Sequence, residues 1–268
     1  MSHEIRTPIN GVIGLTQLLS QAALPPPADG YVGMIDSCAK SLLGLVDNIL
    51  DFSKIEAGHV TLVDAATDLP ALLREVADVF TVRAAGKDIA FGVACEPSVP
   101  ACVRLDADRL RQILLNLLGN ACKFTATGGF WLRVRAQDGP DGPQLAFAVA
   151  DTGIGIAPAD QARLFTRFTQ ADASLRRRYA GTGLGLAISR ELARRMGGDI
   201  VLDSQAGVGS TFTLTLPLRE AQLPVLQRQP ATGAAGLDAA ILLVEDNEVN
   251  RDRKNTRLNS SHTDISRM

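Results

Sequence analysis

The sequence predicts two folded parts of different class, a helical hairpin and then an α/β domain. Apolar residues recur at helical spacing from Ile9 to Ala23 and again from Ile35 to Phe52, and three consecutive prolines separate the two patterns. After Gly58, helical and strand-like patterns alternate. Neither helix of the hairpin can bury its apolar stripe alone, so we expect two copies to form a dimeric four-helix bundle.

Three helices and five strands are predicted in the α/β part. One helix pattern opens with Asp106, a residue type that caps helices by accepting from free backbone N–H groups. The glycine- and proline-rich run from Asp138 to Pro143 predicts a turn between two strands. The predicted helices are Leu69 to Val82, Asp106 to Phe124 and Leu184 to Met196, and the predicted strands are Ile89 to Cys95, Phe130 to Ala136, Leu145 to Ala150, Ile200 to Asp203 and Thr211 to Leu216.

Shifts in composition divide the chain into six segments. The first helix is shorter than the second, so we expect that Met1 is not the natural start of the protein. Proline, glutamine and alanine residues after Glu220 indicate a linker. We expect a helical hairpin at 1–58, a linker at 59–66, an α/β domain at 67–219, a second linker at 220–238, the start of a further domain at 239–251 and an unrelated tail at 252–268.

The composition is ordinary for a soluble globular protein. The 27 basic and 29 acidic side chains nearly balance, so no overall field draws the chain to nucleic acid or to anionic lipid. The four cysteines lack metal-binding spacing, which favours reduced thiols and a cytoplasmic location. No apolar run reaches the about 20 residues of a membrane helix, although an anchor in missing upstream sequence stays open.

One face of the Asp106 helix is polar. Its side chains recur about one turn apart and are Gln112, Asn116, Asn120 and Lys123. Amide oxygens can ligate a hard cation such as Mg²⁺, and a lysine can offset phosphate charge. The same pattern is also typical of a solvated helix face, so the amides alone leave both interpretations open.

Two glycine-rich motifs follow this helix. In the first, Asp151 to Ile156, an acid at the end of a strand precedes Gly153 and Gly155, which let the backbone approach a ligand closely. In the second, Gly181 to Leu186, glycines open a helix whose free N–H groups suit phosphate. Neither motif is a P-loop, and each alone also fits an ordinary turn.

Together, five motifs resemble those of the sensor histidine kinases in their order along the chain, and the resemblance extends from Ser2 to about Leu218. It implies a dimerising hairpin and an α/β sandwich of the kind shared with gyrase-type ATPases. The motifs are a phosphoacceptor box at Ser2 to Pro8, an N box at Asn116 to Thr125, a first glycine box at Asp151 to Ile156, a phenylalanine box at Leu164 to Phe168 and a second glycine box at Gly181 to Leu186.

The resemblance implies a site for ATP and Mg²⁺. Asn120 would ligate Mg²⁺, Lys123 would contact phosphate and Asp151 would bind adenine. The resemblance also implies that Asn116 occupies the position at which gyrase-like ATPases have a glutamate that activates water. An amide cannot act as that base. The other residues implied in nucleotide binding are Gly153, Gly155, Phe168, Thr182 and Leu184, together with Gly181, Gly183 and Gly185 as the hinge of an ATP lid.

His3 is the implied nucleophile. An imidazole with a pKa of about 6.5 is mostly neutral at pH 7 and has a ring nitrogen free to attack, while Glu4 can take its proton. Thr7, one turn further on, resembles the residue that orients water in the reverse, phosphatase reaction. The predicted function is ATP-dependent phosphorylation of His3 and transfer to a receiver aspartate. A dimerisation module that binds nucleotide without autokinase activity, and a phosphatase acting through Thr7, remain alternatives; a gyrase-like ATPase is the weakest.

The end of the chain carries two further resemblances. Ile241 to Asn247 predicts a strand that ends in Glu245 and Asp246 and resembles the start of a response-regulator receiver, whose paired acids hold Mg²⁺. The parent protein is therefore expected to be a hybrid kinase with a receiver domain as partner. The stretch from Asp252 to His262 resembles the translation of a sequencing adapter, so we expect the tail to be foreign to the protein.

Overall fold

The structure, a computed structural model, describes residues 2–22, 24–56, 61–140, 142–166 and 183–222. The chain divides into two compact units, with the described residues up to Asp47 in one and those from Asn48 in the other. The predicted receiver segment at 239–251 and the tail at 252–268 lie outside the described residues. None of the described helices is long and apolar enough to cross a lipid bilayer.

The helical hairpin consists of α1 (Ser2–Gln21) and α2 (Ala28–Glu56). The first unit contains α1 and α2 up to Asp47. Polar contacts between described residues join the helices. Arg6 donates to Asp47 at 2.9 Å and Thr16 donates to Asp36 at 3.3 Å. Because residues early in α1 meet residues late in α2, the two helices are antiparallel, as the two sequence patterns predict.

Most of the hairpin's apolar surface is exposed. Ile9 is 8% exposed and Val32 is 7% exposed, so the contact between the two helices buries only a few side chains well. Large apolar side chains left exposed include Val12, Leu15, Leu18, Leu19, Met34, Ile35, Leu42, Leu45 and Ile49. Such a continuous apolar surface is typical of a helix pair that packs against another protein surface.

The second unit contains an α/β domain. The smaller of its two sheets pairs β1 (Ala65–Asp68) with β3 (Cys102–Leu105) in antiparallel fashion. The helices are α3 (Leu69–Ala85), α4 (Ala107–Phe124), α5 (Pro158–Gln161) and α6 (Gly185–Arg195). The larger sheet consists of β2 (Ala90–Cys95), β4 (Gly129–Gly139), β5 (Gly142–Asp151), β6 (Asp199–Gln205) and β7 (Gly209–Pro217).

The larger sheet has the strand order β2, β4, β5, β7, β6. Strands β2 and β4 are parallel, and the remaining pairs are antiparallel. Side chains alternate along β4: Phe130, Leu132 and Val134 are fully buried. Trp131 and Arg133 between them are exposed. Helices α3, α4 and α6 share one apolar core with the sheet, which confirms the predicted α/β sandwich.

Each predicted helix and strand of the α/β part is present, with differences at the ends. Strands β4 and β5 extend to Gly139 and from Gly142, so the prediction of a turn over Asp138 to Pro143 was too long. The antiparallel pairing satisfies the backbone groups of these residues and overrides the turn-forming tendency of glycine and proline. The sequence patterns did not predict β1, β3 and α5, each only four residues long.

An ion pair joins α6 to β6. Arg190 donates to both carboxylate oxygens of Asp199, at 2.7 and 3.0 Å, and Arg194 adds a third hydrogen bond at 3.3 Å. The hydrogen bond from Arg190 is the main reason that the pKa of Asp199 is lowered to about 2. The guanidinium of Arg190 also lies 4.5 Å from the ring centroid of Phe165.

The change Asp199→Asn should lower the free energy of unfolding at pH 7. Because the Asp199 side chain is 36% exposed, solvent screens the pair, and we expect a loss of about 1 kcal/mol. A carboxylate with a lowered pKa stabilises the fold above its ordinary pKa, and this contribution is lost as pH falls through about 2. Urea unfolding at several pH values measures this change in the free energy of unfolding. The exposed change Asp203→Asn is the control, and equal effects of the two changes would contradict the prediction.

Candidate functional site

Helix α4 positions most of the candidate site, and Asp106 fixes where it begins. One Asp106 carboxylate oxygen accepts from the backbone N–H of Arg109 at 3.0 Å, which confirms the predicted cap. The other oxygen accepts from the backbone N–H of Val63 at 2.9 Å. The capping side chain is 6% exposed and therefore ties the start of α4 to the segment before β1.

The two faces of α4 differ sharply in burial. The apolar face is buried and comprises Leu110, Ile113, Leu114, Leu117, Leu118 and Ala121. Asn116, Asn120 and Lys123 are only partly buried on the polar face. Burial lowers the pKa of Lys123 below its ordinary value. The structure thus brings the predicted polar side chains together along one side of the helix.

The first glycine motif lies against the carboxyl end of α4. A Cβ atom added to Gly153 would come within 2.6 Å of the carbonyl oxygen of Phe124. Lys87, in the connection between α3 and β2, donates to the carbonyl oxygen of Cys122 at 2.7 Å. A lysine at the end of a helix offsets the partial negative charge of the free carbonyls. The carboxyl end of α4 therefore lies close to the first glycine loop at Gly153 and is tied to the α3–β2 connection by Lys87.

The second glycine motif lies against the middle of α4. Asn116 donates through Nδ2 to the hydroxyl of Ser189 at 2.9 Å. A Cβ atom on Gly185 would collide with Oδ1 of the same Asn116 side chain. Asn116 and Phe124 are eight residues apart, so the two glycine motifs contact α4 at points about 12 Å apart along its axis.

Asp151 lies at the end of β5, on the last residue of the strand. Its Oδ1 accepts from the backbone N–H of Gly153 at 2.8 Å. Burial raises the pKa of Asp151 above its ordinary value, and hydrogen bonds from the backbone of Gly153 and Ser210 partly oppose that shift. The site therefore contains a half-buried carboxyl group with an oxygen acceptor held in a fixed place.

The loop after Asp151 is fixed to the turn between β6 and β7. Ile156 donates from its backbone to the Ser204 hydroxyl at 2.9 Å, and Gly207 donates to the carbonyl of Ile154 at 2.7 Å. Gly155 has φ of +63°, and a Cβ atom there would collide with the carbonyl of Gln205. Only glycine combines this conformation with this close approach.

The other predicted site residues are placed as follows. Glu4 and Thr7 lie on the exposed side of the first two turns of α1. His3 belongs to the same helix, but its side chain is outside the described part of the structure. Gly183 has φ of +68°, and Leu184 after it is 1% exposed. Phe168, Gly181 and Thr182 lie outside the described residues.

Comparison with known proteins shows the family to which this chain belongs. A model described as histidine kinase-, DNA gyrase B- and HSP90-like ATPase matches residues 105–220. The model of the His Kinase A (phospho-acceptor) domain matches residues 1–58. The sensor protein GacS of Pseudomonas syringae pv. syringae is 43% identical over 223 residues, which is 83% of this chain and 25% of that protein. The chain belongs to the histidine kinases.

Other histidine kinases extend the comparison. The sensor histidine kinase RcsC of Escherichia coli strain K12 is 39% identical over 88% of this chain and 24% of its own length. The chain thus spans about a quarter of the length of these two relatives. The crystal structure of full-length ShkA in complex with AMPPNP superposes with a TM-score of 0.69 at 40% identity, covering 84% of this chain and 46% of that one.

The residues of this histidine kinase suit an ATP-binding domain. A side chain would collide with a neighbouring group at three glycines of the two motifs, which are Gly153, Gly155 and Gly185. Glycine therefore allows a close approach at each of these positions. Mg²⁺ is commonly bound through one or two protein oxygens together with substrate phosphates, and the amide oxygens of Asn116 and Asn120 are donors of that kind. The donor set therefore fits Mg²⁺ held jointly with a nucleotide.

Two residues that contact α4 at the candidate site, Lys87 and Ser189, were not predicted from the sequence. Lys87 is 35 residues from the carbonyl to which it donates, and nothing in its local pattern points to α4. Ser189 is 2% exposed in the apolar stripe of α6 between Ile188 and Leu192. A lone hydroxyl among buried apolar residues needs a hydrogen-bond partner, and that signal was available in the sequence.

The change Gly155→Ala should disrupt the first glycine loop. Alanine would be strained at positive φ and would also collide with the Gln205 carbonyl, so we expect both lower thermal stability and at least tenfold weaker nucleotide binding. Gly207→Ala is the matched control, because Gly207 has φ of +81° but open space around its Cβ position. It should cost only the strain, about 1 kcal/mol. Similar effects of the two changes would show that the close approach is unimportant.

Proposed function

We propose that this chain is an ATP-dependent histidine autokinase that phosphorylates His3, and that the natural protein passes the phosphoryl group to a receiver aspartate. One observation carries the proposal. The polar face of α4 lies between two glycine motifs, one against Phe124 and the other against Asn116. In this arrangement the Asp151 carboxyl group, at the end of β5, is proposed to bind adenine, and the polar face of α4 is proposed to bind the phosphates.

Asp151 is proposed to bind the adenine ring. Its carboxylate would accept a hydrogen bond from the exocyclic amine of the base. The backbone N–H groups of Gly153 and Ser210 already hold the carboxylate in place, so little conformational freedom remains to be lost on binding. A fixed acceptor of this kind discriminates adenine, with its exocyclic amine, from a base that has a carbonyl group in place of that amine.

Asn120 and Lys123 are proposed to act on the phosphates. An amide oxygen of Asn120 would ligate Mg²⁺, which neutralises charge on the transferred group, and Lys123 would contact a phosphate oxygen. The N–H groups at the start of α6 suit phosphate as well. Asn116, Gly183, Leu184 and Gly185 are proposed to line this part of the site, and Phe168, Gly181 and Thr182 are proposed to complete it.

His3 is proposed to attack the γ-phosphorus of ATP. A ring nitrogen of His3 forms the new N–P bond as the bond between the γ-phosphorus and the bridging oxygen breaks, and ADP leaves with that electron pair. Glu4 accepts the proton from the ring. Thr7, one turn further along α1, is proposed to orient water in the reverse, phosphatase reaction. Phosphoryl transfer depends mainly on positioning and charge compensation, which the residues above supply.

The partners follow from the same proposal. The exposed apolar stripe of the hairpin, which includes Val12, Leu15, Leu42 and Ile49, is the surface through which a homodimer would form. A receiver domain would then take the phosphoryl group from His3. We retain the domain boundaries 1–58 for the hairpin and 67–219 for the catalytic domain as part of the proposal.

The change Asp151→Asn should weaken ATP binding by about ten- to a hundredfold, because a hydrogen bond to a charged group contributes about 1.5–3 kcal/mol. Burial raises the pKa of Asp151, so the affinity of the unchanged chain should be full above that pKa and fall as pH drops through it, at a higher pH than for an ordinary aspartate. Calorimetric titration with AMPPNP across pH measures both effects. Exposed Asp203→Asn should change neither, and unchanged binding in Asp151→Asn would reject the adenine site.

The change His3→Gln should abolish labelling by Mg-ATP carrying a radioactive γ-phosphate. Phosphohistidine is hydrolysed in acid and survives in base, so the label on the unchanged chain should show that stability. Binding of AMPPNP should be the same in both proteins, because His3 is not proposed to hold the nucleotide. Nucleotide binding without any label would instead favour a dimerisation module without autokinase activity, and label that remains in His3→Gln would exclude His3 as the acceptor.

A further inference from the structure

The amide of Asn116 contacts α6 at two points. Its Nδ2 donates to the hydroxyl of Ser189 at 2.9 Å, and its Oδ1 is the atom nearest to the Cβ position of Gly185. Gly185 and Ser189 are four residues apart, which places them on one face of α6 about one turn apart. The single side chain therefore spans the first turn of α6, and its two ends face different groups.

Ser189 determines which end faces which group. Ser189 is 2% exposed and its hydroxyl accepts from Asn116, so one of the two N–H groups of the amide is already used inside the protein. The acceptor end, Oδ1, is left at the start of α6 beside Gly185. The terminal torsion of an asparagine side chain is soft, so without this hydrogen bond either end could turn toward the nucleotide.

The two ends of an amide suit different parts of Mg-ATP. The NH₂ group can donate to a phosphate oxygen, whereas the carbonyl oxygen can ligate a cation or accept from a water bound to one. We propose that Ser189 is a positioning residue that fixes the orientation of Asn116 so that Oδ1 faces the cation of Mg-ATP. This inference rests on the proposed function and adds to it a buried residue of α6 that acts only through Asn116.

The test is a titration of the full chain with AMPPNP in saturating Mg²⁺ and again in EDTA. Ser189→Ala should weaken binding about tenfold in Mg²⁺, the size of effect expected for one lost hydrogen bond, and leave binding in EDTA unchanged. Asn116→Ala should lose the same Mg²⁺-dependent part. The double change should lose no more than Asn116→Ala alone, because Ser189 acts through Asn116.

Two further variants separate positioning from a purely structural role. Ser189→Thr keeps the hydroxyl and should restore Mg²⁺-dependent binding. Ser189→Cys keeps the volume but replaces oxygen with a weak sulfur acceptor, and it should behave like Ser189→Ala. Thermal unfolding of each variant is followed in parallel; if Ser189→Ala does not fold, Ser189→Cys gives the result.

Three results would overturn the inference: binding like that of the unchanged chain in the Ala and Cys variants, an equal loss in Mg²⁺ and EDTA, or additive losses in the double variant. Any of these results leaves the proposed function intact, provided that the unchanged chain binds AMPPNP more tightly with Mg²⁺. If the unchanged chain does not bind AMPPNP at all, the proposed function fails and this inference fails with it.

Discussion

The rotation of helix α4 about its own axis is the constraint on which the candidate site depends. Leu110, Leu114 and Leu117 are fully buried in the core shared with the sheet. Each buried leucine stabilises the fold by roughly 1.5–3 kcal/mol, so the helix cannot rotate without exposing several of them to water. The opposite face, with Asn116 and Asn120, must then point away from the core. Apolar packing therefore sets the direction of the amides, although these leucines take no part in the chemistry.

Glycines bring the two loops to this helix for different physical reasons. Gly153 is not at a positive φ, and what it provides is space beside the Phe124 carbonyl. Gly155 needs both a positive φ and space beside the Gln205 carbonyl. Gly185 is helical and makes room for the Asn116 side chain. A glycine-rich motif is therefore best explained by close approach of backbone and side chains to α4, rather than by flexibility alone.

Much of this arrangement was predictable, because it depends on local pattern. The helical period and the Asp106 cap predicted α4 and its polar face, and strand-like patterns predicted the five strands of the larger sheet. Contacts between distant segments were not predictable: the partners Asn116 and Ser189 are 73 residues apart, and Lys87 reaches α4 across 35 residues. The short strands β1 and β3 were missed for the same reason, since four residues carry little period and their stability comes from pairing across the fold.

Burial acts on the two ionisable groups of the site in opposite directions. It raises the pKa of Asp151 and lowers that of Lys123, so desolvation favours the neutral form of each. In the proposed complex, the adenine amine donates to the Asp151 carboxylate and the phosphates attract the Lys123 ammonium group, so the ligand favours the charged form of each. Asn116 and Asn120 have no proton to gain or lose in this range. Among these four side chains, only those of Asp151 and Lys123 can therefore make nucleotide binding depend on pH, and Mg²⁺ dependence is the signal that reports on the amides.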